Sequence, residues 1–151
     1  MLLSNKKSIK KKILRGGVIV LKKKRTLILI LLISIVLFCT IYIFFAIWIA
    51  KDARNILRVG LQNDVEYKNI MHSDVYKDIN PLQRHLTYTE YTYEPKFHEI
   101  ETPLVLHFFG YAKVWVKQRY APEDFGFEEP VTLTMKLKKG EWYATNVHIE
   151  P

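Results

Sequence analysis

The chain has 151 residues, 49% of them hydrophobic and 13% aromatic, with 23 Lys and Arg against 15 Asp and Glu. A net charge of +8 would suit a nucleic-acid binder if it were spread over a folded domain, but residues 1–25 hold ten of the basic groups and every acidic residue lies at or after Asp52. Residues 51–151 are left with 13 basic and 15 acidic groups, a net −2 that argues against nucleic acid as a partner, and the lone Cys39 excludes a disulfide framework and a cysteine-built zinc site.

Residues 1–25 form a basic tail that ends in Lys22-Lys23-Lys24-Arg25. Within it, Arg15-Gly16-Gly17-Val18 back-translates readily to a purine-rich sequence of the ribosome-binding type. It lies just upstream of Val20 and Leu21, whose codons serve as alternative starts. The sequence therefore predicts that translation begins at Val20 or Leu21 and that residues 1–19 are a gene-calling artefact. A genuine disordered basic tail is the alternative.

Thr26 to Ala50 is a run of 25 residues without a charge. About 20 apolar residues suffice to cross the hydrocarbon core as a helix, so residues 26–50 are predicted to span the bilayer. The run is longer than the apolar region of a cleaved signal peptide, and Ala46-Ile47-Trp48-Ile49-Ala50 puts bulky residues where a small-residue cleavage site belongs. Phe38 before Cys39 fits no lipoprotein motif, and a mid-span cysteine is an ordinary apolar residue. Basic residues before the span place the amino terminus in the cytoplasm. The expected arrangement is a single-pass protein of the cell membrane, touching the lipid bilayer through residues 26–50, with residues 51–151 as one extracytoplasmic domain.

In that domain Ile56, Leu57, Val59 and Leu61 have helical spacing, which continues the helix to about Gln62. Asn63-Asp64 reads as a break and cap, followed by a short helix from Val65 to Met71 that ends near His72-Ser73-Asp74. Thr87 to Tyr93, rich in Thr and Tyr, predicts a strand closed by Pro95. Leu104 to Tyr120 reads as one long strand. Its even positions Leu104, Leu106, Phe108, Gly110, Ala112, Val114 and Val116 make an apolar face, and its odd positions are mixed aromatic and basic. Gly110 is predicted to be a bulge or bend within it. A loop at 121–130 precedes a clean alternation with Val131, Leu133, Met135 and Leu137 inward, a Lys139-Gly140 turn, and a return strand Glu141 to Ile149.

Helices followed by an antiparallel meander make the fold class α+β, with helices packed on a curved antiparallel sheet. Asn55 to Met71, with its Leu61-Gln62-Asn63-Asp64 break, and Thr132 to Ile149, with its Gly-Glu-Trp-Tyr hairpin, carry a resemblance. The order resembles the cystatin-like or NTF2-like domains found outside the membrane in many Gram-positive single-pass proteins and lipoproteins. The resemblance is architectural and rests on no diagnostic motif. It implies binding, assembly or, occasionally, catalysis.

Motifs for chemistry are absent from the sequence. There is no phosphate-binding loop, GxSxG or HExxH, and none of His72, His85, His98, His107 and His148 is paired at i, i+4. Glu90, Asp64 and Asp74 are the carboxylates considered for acid–base work. The last two sit at helix ends, where capping accounts for them, and Ser73 has no recognisable base beside it. No catalytic residue, metal ligand or cofactor is therefore assigned. Eight tyrosines, two tryptophans and five phenylalanines follow Lys51. Core filling explains most of these rings. Tyr88, Tyr91, Tyr93, Tyr111 and Trp115, interleaved with Lys113, Lys117 and Arg119, also make a candidate interaction face, with Tyr111, Lys113, Trp115, Lys117 and Arg119 its favoured part, because aromatics and arginine favour interface centres. Phe125 and Phe127 in the acidic loop are expected to tuck back against the sheet. The favoured function is non-catalytic binding of another envelope protein or of a ligand held by the sheet. The runners-up are a small NTF2-like enzyme acting on an envelope substrate and an accessory subunit of a membrane machine, its span pairing through Ser34, Thr40 or Ala46.

Overall fold

A computed structural model describes residues 2–63, 65–87, 91–123 and 125–150, with side chains from Lys24 onward except that of Val65. The chain divides into two compact units, Met1–Ile43 and Phe44–Pro151. Helix α1 runs from Leu2 to Gly60, and its Lys24–Gly60 portion is long and apolar enough to cross a membrane.

The first unit is helical throughout its described residues. Its large apolar side chains from Leu27 to Phe38 point outward, at least half of each exposed. Two hydroxyls of this unit are turned onto the helix itself. Ser34 Oγ donates to the Ile30 carbonyl at 2.9 Å and Thr40 Oγ1 to the Val36 carbonyl at 2.8 Å. Such back-bonding satisfies a hydroxyl without a partner outside its own helix.

The second unit begins with the last turns of α1. Ile49, Ala53, Ile56 and Leu57 recur at three- and four-residue spacing, and all are buried, as a core-facing stripe requires. The helix stops at Gly60, where a Cβ would sit 2.5 Å from Ile79 Cγ2. A side chain at this position would push the two segments apart. A 3₁₀ turn, Val65–Asn69, stands where the sequence predicts a short helix to Met71. A true helix, α2, follows at Ser73–Ile79, where the sequence reading expected an ending. His72 caps it, Nδ1 accepting from the Asp74 amide at 3.4 Å. Asn80 at its other end is 1% exposed and bonds on both sides of its amide. Its Nδ2 donates to the Gly60 carbonyl at 3.2 Å, and its Oδ1 accepts from the Leu82 amide at 3.1 Å. One buried side chain thus ties the end of α1 to the segment after α2.

The sheet is antiparallel, with strands β1 (His98–Ile100), β2 (Leu104–Phe108), β3 (Tyr111–Tyr120), β4 (Phe127–Lys138) and β5 (Glu141–Ile149). The order is β1-β3-β4-β5, and β2 also pairs with β3. β1 and β2 therefore lie along the same edge of β3, interrupted at Glu101-Thr102-Pro103. The α+β class and the antiparallel sheet agree with the sequence, and four details do not.

The predicted strand at Thr87–Tyr93 is not formed among its described residues, and 88–90 lie outside them. Tyr91 and Tyr93 instead send their rings to the core, and the Tyr91 hydroxyl donates to the Leu61 carbonyl. A short β1 after Pro95 takes the edge position. Strand β4 starts four residues before Val131, so the loop shortens to 121–126. Leu137, expected inward, is 41% exposed near the strand's end.

The fourth difference matters most. Leu104–Tyr120 is a hairpin rather than a single strand. Phe109 (φ 42°) and Gly110 (φ 80°) form a two-residue turn with both residues left-handed, a type I′ geometry. Residues that pair across such a turn share a face, so Leu104, Leu106 and Phe108 lie opposite Trp115, Lys113 and Tyr111. The parity of the pattern reverses at the turn. Ala112, Val114 and Val116 are buried, whereas Leu104, Leu106 and Phe108 are 69%, 61% and 73% exposed.

The core lies between the helices and the inner face of the sheet. Ile49, Leu57, Leu61, Met71, Val75 and Ile79 meet Val114, Tyr120, Leu133, Met135 and Trp142 there. Phe125 and Phe127 fold back onto it as expected, with their ring centroids 5.7 and 6.1 Å from that of Tyr120.

Candidate interaction face

The outer face of the sheet is built by strand alternation alone. Odd residues of β3 point away from the helices because the even ones fill the core. Every residue of the favoured set Tyr111, Lys113, Trp115, Lys117 and Arg119 lies on this face, Trp115 half-buried and the others exposed. Register carries the face across the sheet. One row reads Leu104, Trp115, Thr132, His148; the next reads Leu106, Lys113, Thr134, Asn146; the third reads Phe108, Tyr111, Lys136, Tyr143. Among the described residues no helix covers these rows.

The two ends of the face differ chemically. At one end Lys117 and Arg119 converge on Glu128, Lys117 in contact with it and Arg119 Nε at 4.0 Å. The hydrogen bond to Glu128 raises the Lys117 ammonium above its usual range, and the same bond lowers the Glu128 carboxyl. A concavity of about 200 Å³ opens here, lined by Glu99, Glu101, Lys117, Gln118, Arg119 and Glu128. Its cations already have carboxylate partners, and all these charged groups meet water, so the patch contributes little to stability.

The other end is apolar. Leu104, Leu106, Phe108 and Tyr111 surround Lys113, whose ammonium lies 5.4 Å from the Trp115 ring centroid. A cation over an indole face holds both groups in place without concealing them. Sequence reasoning missed Leu104, Leu106, Phe108 and Phe109 as members of this surface. The signal was the Phe-Gly pair between two alternating runs. It is a weaker hairpin sign than Asn-Gly, because Phe rarely adopts positive φ.

Polar groups on the inner face form a closed chain. Arg84 makes two hydrogen bonds to Glu129, both 2.8 Å, and Gln118 Nε2 donates to Glu129 Oε1 at 2.9 Å. Gln118 Oε1 lies 3.2 Å from His98 Nε2, and the Tyr93 hydroxyl lies 3.0 Å from His98 Nδ1. Burial lowers the His98 pKa to about 4, against the opposing effect of its hydrogen bond to the Gln118 amide oxygen. A depressed histidine is a familiar mark of catalysis. Here both ring nitrogens are engaged within the protein, which leaves neither for a substrate. The other histidines do not converge, and no group of three metal-binding side chains occurs among the described residues.

A second cavity, about 270 Å³, is lined by Trp48, Asp52, Asn55, Ile56, Ile70, Glu141 and Trp142. Trp142 Nε1 is the one buried side-chain polar atom without a partner among the described residues.

No protein-family model, no characterised protein and no solved structure matches this chain.

Proposed function

We propose that this chain is a single-pass membrane protein whose carboxyl-terminal domain lies outside the cytoplasm and binds another envelope protein without catalysis. The outer face of the sheet is the binding surface. A cystatin- or NTF2-like arrangement belongs to the same proposal, supported by helices packed against one side of an antiparallel meander.

The observation that carries the reading is the uncovered row of Leu104 and Trp115 beside Lys113 and Leu106. Small domains rarely leave several large apolar side chains together in water unless something binds them. An aromatic anchor with a cation beside it is also what interface centres favour. The inner face offers no comparable surface, because helix side chains fill it.

The test is co-purification from native membranes. The full chain should retain a discrete envelope protein, and the Lys113→Ala/Trp115→Ala variant should lose it while keeping its circular dichroism spectrum. Equal recovery by a folded variant would remove this face from the account.

A further inference from the structure

Both sheet hairpins end at the same end of the domain. Tyr111 opens β3 opposite Lys136 near the end of β4, and the Gly110 carbonyl accepts from the Leu137 amide at 2.7 Å. That end lies beside the first residues of the unit. The His107 ring centroid is 6.0 Å from that of Phe45, and Trp142 is 6.2 Å from Trp48. Phe45 and Trp48 belong to the uncharged run that ends at Ala50. Their neighbours Phe44 and Ile47 point outward, 69% and 65% exposed.

The hairpin tips have the composition of a lipid-contact element. Phe109 is 93% exposed and Phe108 is 73% exposed, their rings 4.5 Å apart edge to face. Leu137 is exposed on the adjoining hairpin, and Lys136, Lys138 and Lys139 surround it without a carboxylate among them until Glu141. Lys138 lies 4.5 Å from the Tyr143 ring centroid, which leaves its charge available to solvent. Rings at a tip with lysines behind them suit the boundary between acyl chains and anionic headgroups.

We infer that the Phe108-Phe109 tip inserts into the outer surface of the same bilayer that residues 26–50 cross, with Lys136, Lys138 and Lys139 against anionic headgroups. The inference rests on the reading of residues 26–50 as a membrane span. Lipid then covers the row of Phe108 and Tyr111. The rows of Leu106 and Leu104 stay above the membrane for the protein partner.

The test is depth-dependent quenching of the full chain in vesicles of phosphatidylcholine and phosphatidylglycerol that carry a nitroxide on the acyl chain. Three labelled forms are compared. One carries an environment-sensitive fluorophore on the native Cys39. The other two carry it at Phe109→Cys or at Arg119→Cys, each with Cys39→Ser. Arg119 is exposed and lies eight residues along β3 from Tyr111, about 26 Å away. The inference predicts strong quenching at 39 and at 109 and little at 119. Replacing Lys138 and Lys139 with glutamate should then weaken quenching at 109 and leave 39 unchanged. Quenching at 39 with none at 109 would overturn the tip insertion and leave the span standing. No quenching at 39 would overturn the span, and the insertion with it.

Discussion

Phe108 and Tyr111 face each other across a two-residue turn, and this pairing decides which side chains the domain shows to its surroundings. Had residues 104–120 continued as one strand, Leu104, Leu106 and Phe108 would have joined Val114 in the core. The turn at Phe109-Gly110 puts them on the outer face beside Trp115 and Lys113.

Gly110 should therefore be sensitive to substitution. Its φ of 80° is left-handed, and an added Cβ would stand 3.4 Å from Leu137 Cβ. Gly110→Ala is expected to cost about 1 kcal/mol, mostly backbone strain. Thermal unfolding of the full chain in detergent measures this loss. An unchanged midpoint would mean that the turn relaxes without penalty.

The Arg84–Glu129 pair predicts a strong asymmetry. Glu129 is 6% exposed and bonds only to Arg84 and Gln118 among the interactions described. Arg84→Met leaves a buried carboxylate without its cation and should cost about 3 kcal/mol. Adding Glu129→Leu to that variant should restore most of the loss, because the uncompensated charge has gone. Denaturant unfolding of the two variants reads the difference, and a double variant worse than the single one would refute this role for the pair.

His98 gives the domain a specific acid sensitivity. Its folded pKa is about 4, chiefly through burial, with Arg58 also disfavouring the charged ring. In the unfolded chain it returns to about 6.5. As pH falls below about 6.5 the unfolded state takes up the proton first, so stability drops toward pH 4 and this contribution then levels off. The partly exposed ring limits the loss to about 1–2 kcal/mol. Melting temperatures from pH 7.5 to 4 should fall less steeply for His98→Gln than for the native chain. Parallel curves would show that His98 is not the group responsible.

Much of the fold was readable because its signals are periodic. The helical stripe at Ile56 and Leu57 and the alternation from Val131 to Met135 each answer to one burying face, whereas the 25-residue uncharged run is legible by its length and lack of charge alone. The β4–β5 hairpin was announced by Lys139-Gly140, and both residues take positive φ. What was not readable depended on long-range partners. Tyr91 and Tyr93 have strand propensity, but they are drawn to Leu61 and His98. The seven residues of α2 are too short for a periodic signal and are held by Val75 and Ile79 in the core. In the interaction face, β3 was legible from its own alternation. The contribution of β2 was not, because a parity change at one turn inverts every residue before it.

The outer face of the sheet as the binding surface is the central claim, and photo-crosslinking in native membranes tests it most directly. A photoreactive residue is placed in the full chain at Trp115, on the outer face, or at Lys77, exposed on α2. The account predicts a discrete protein adduct from position 115 and none from position 77. Adducts from position 77 with a blank at 115, in a folded protein, would contradict it.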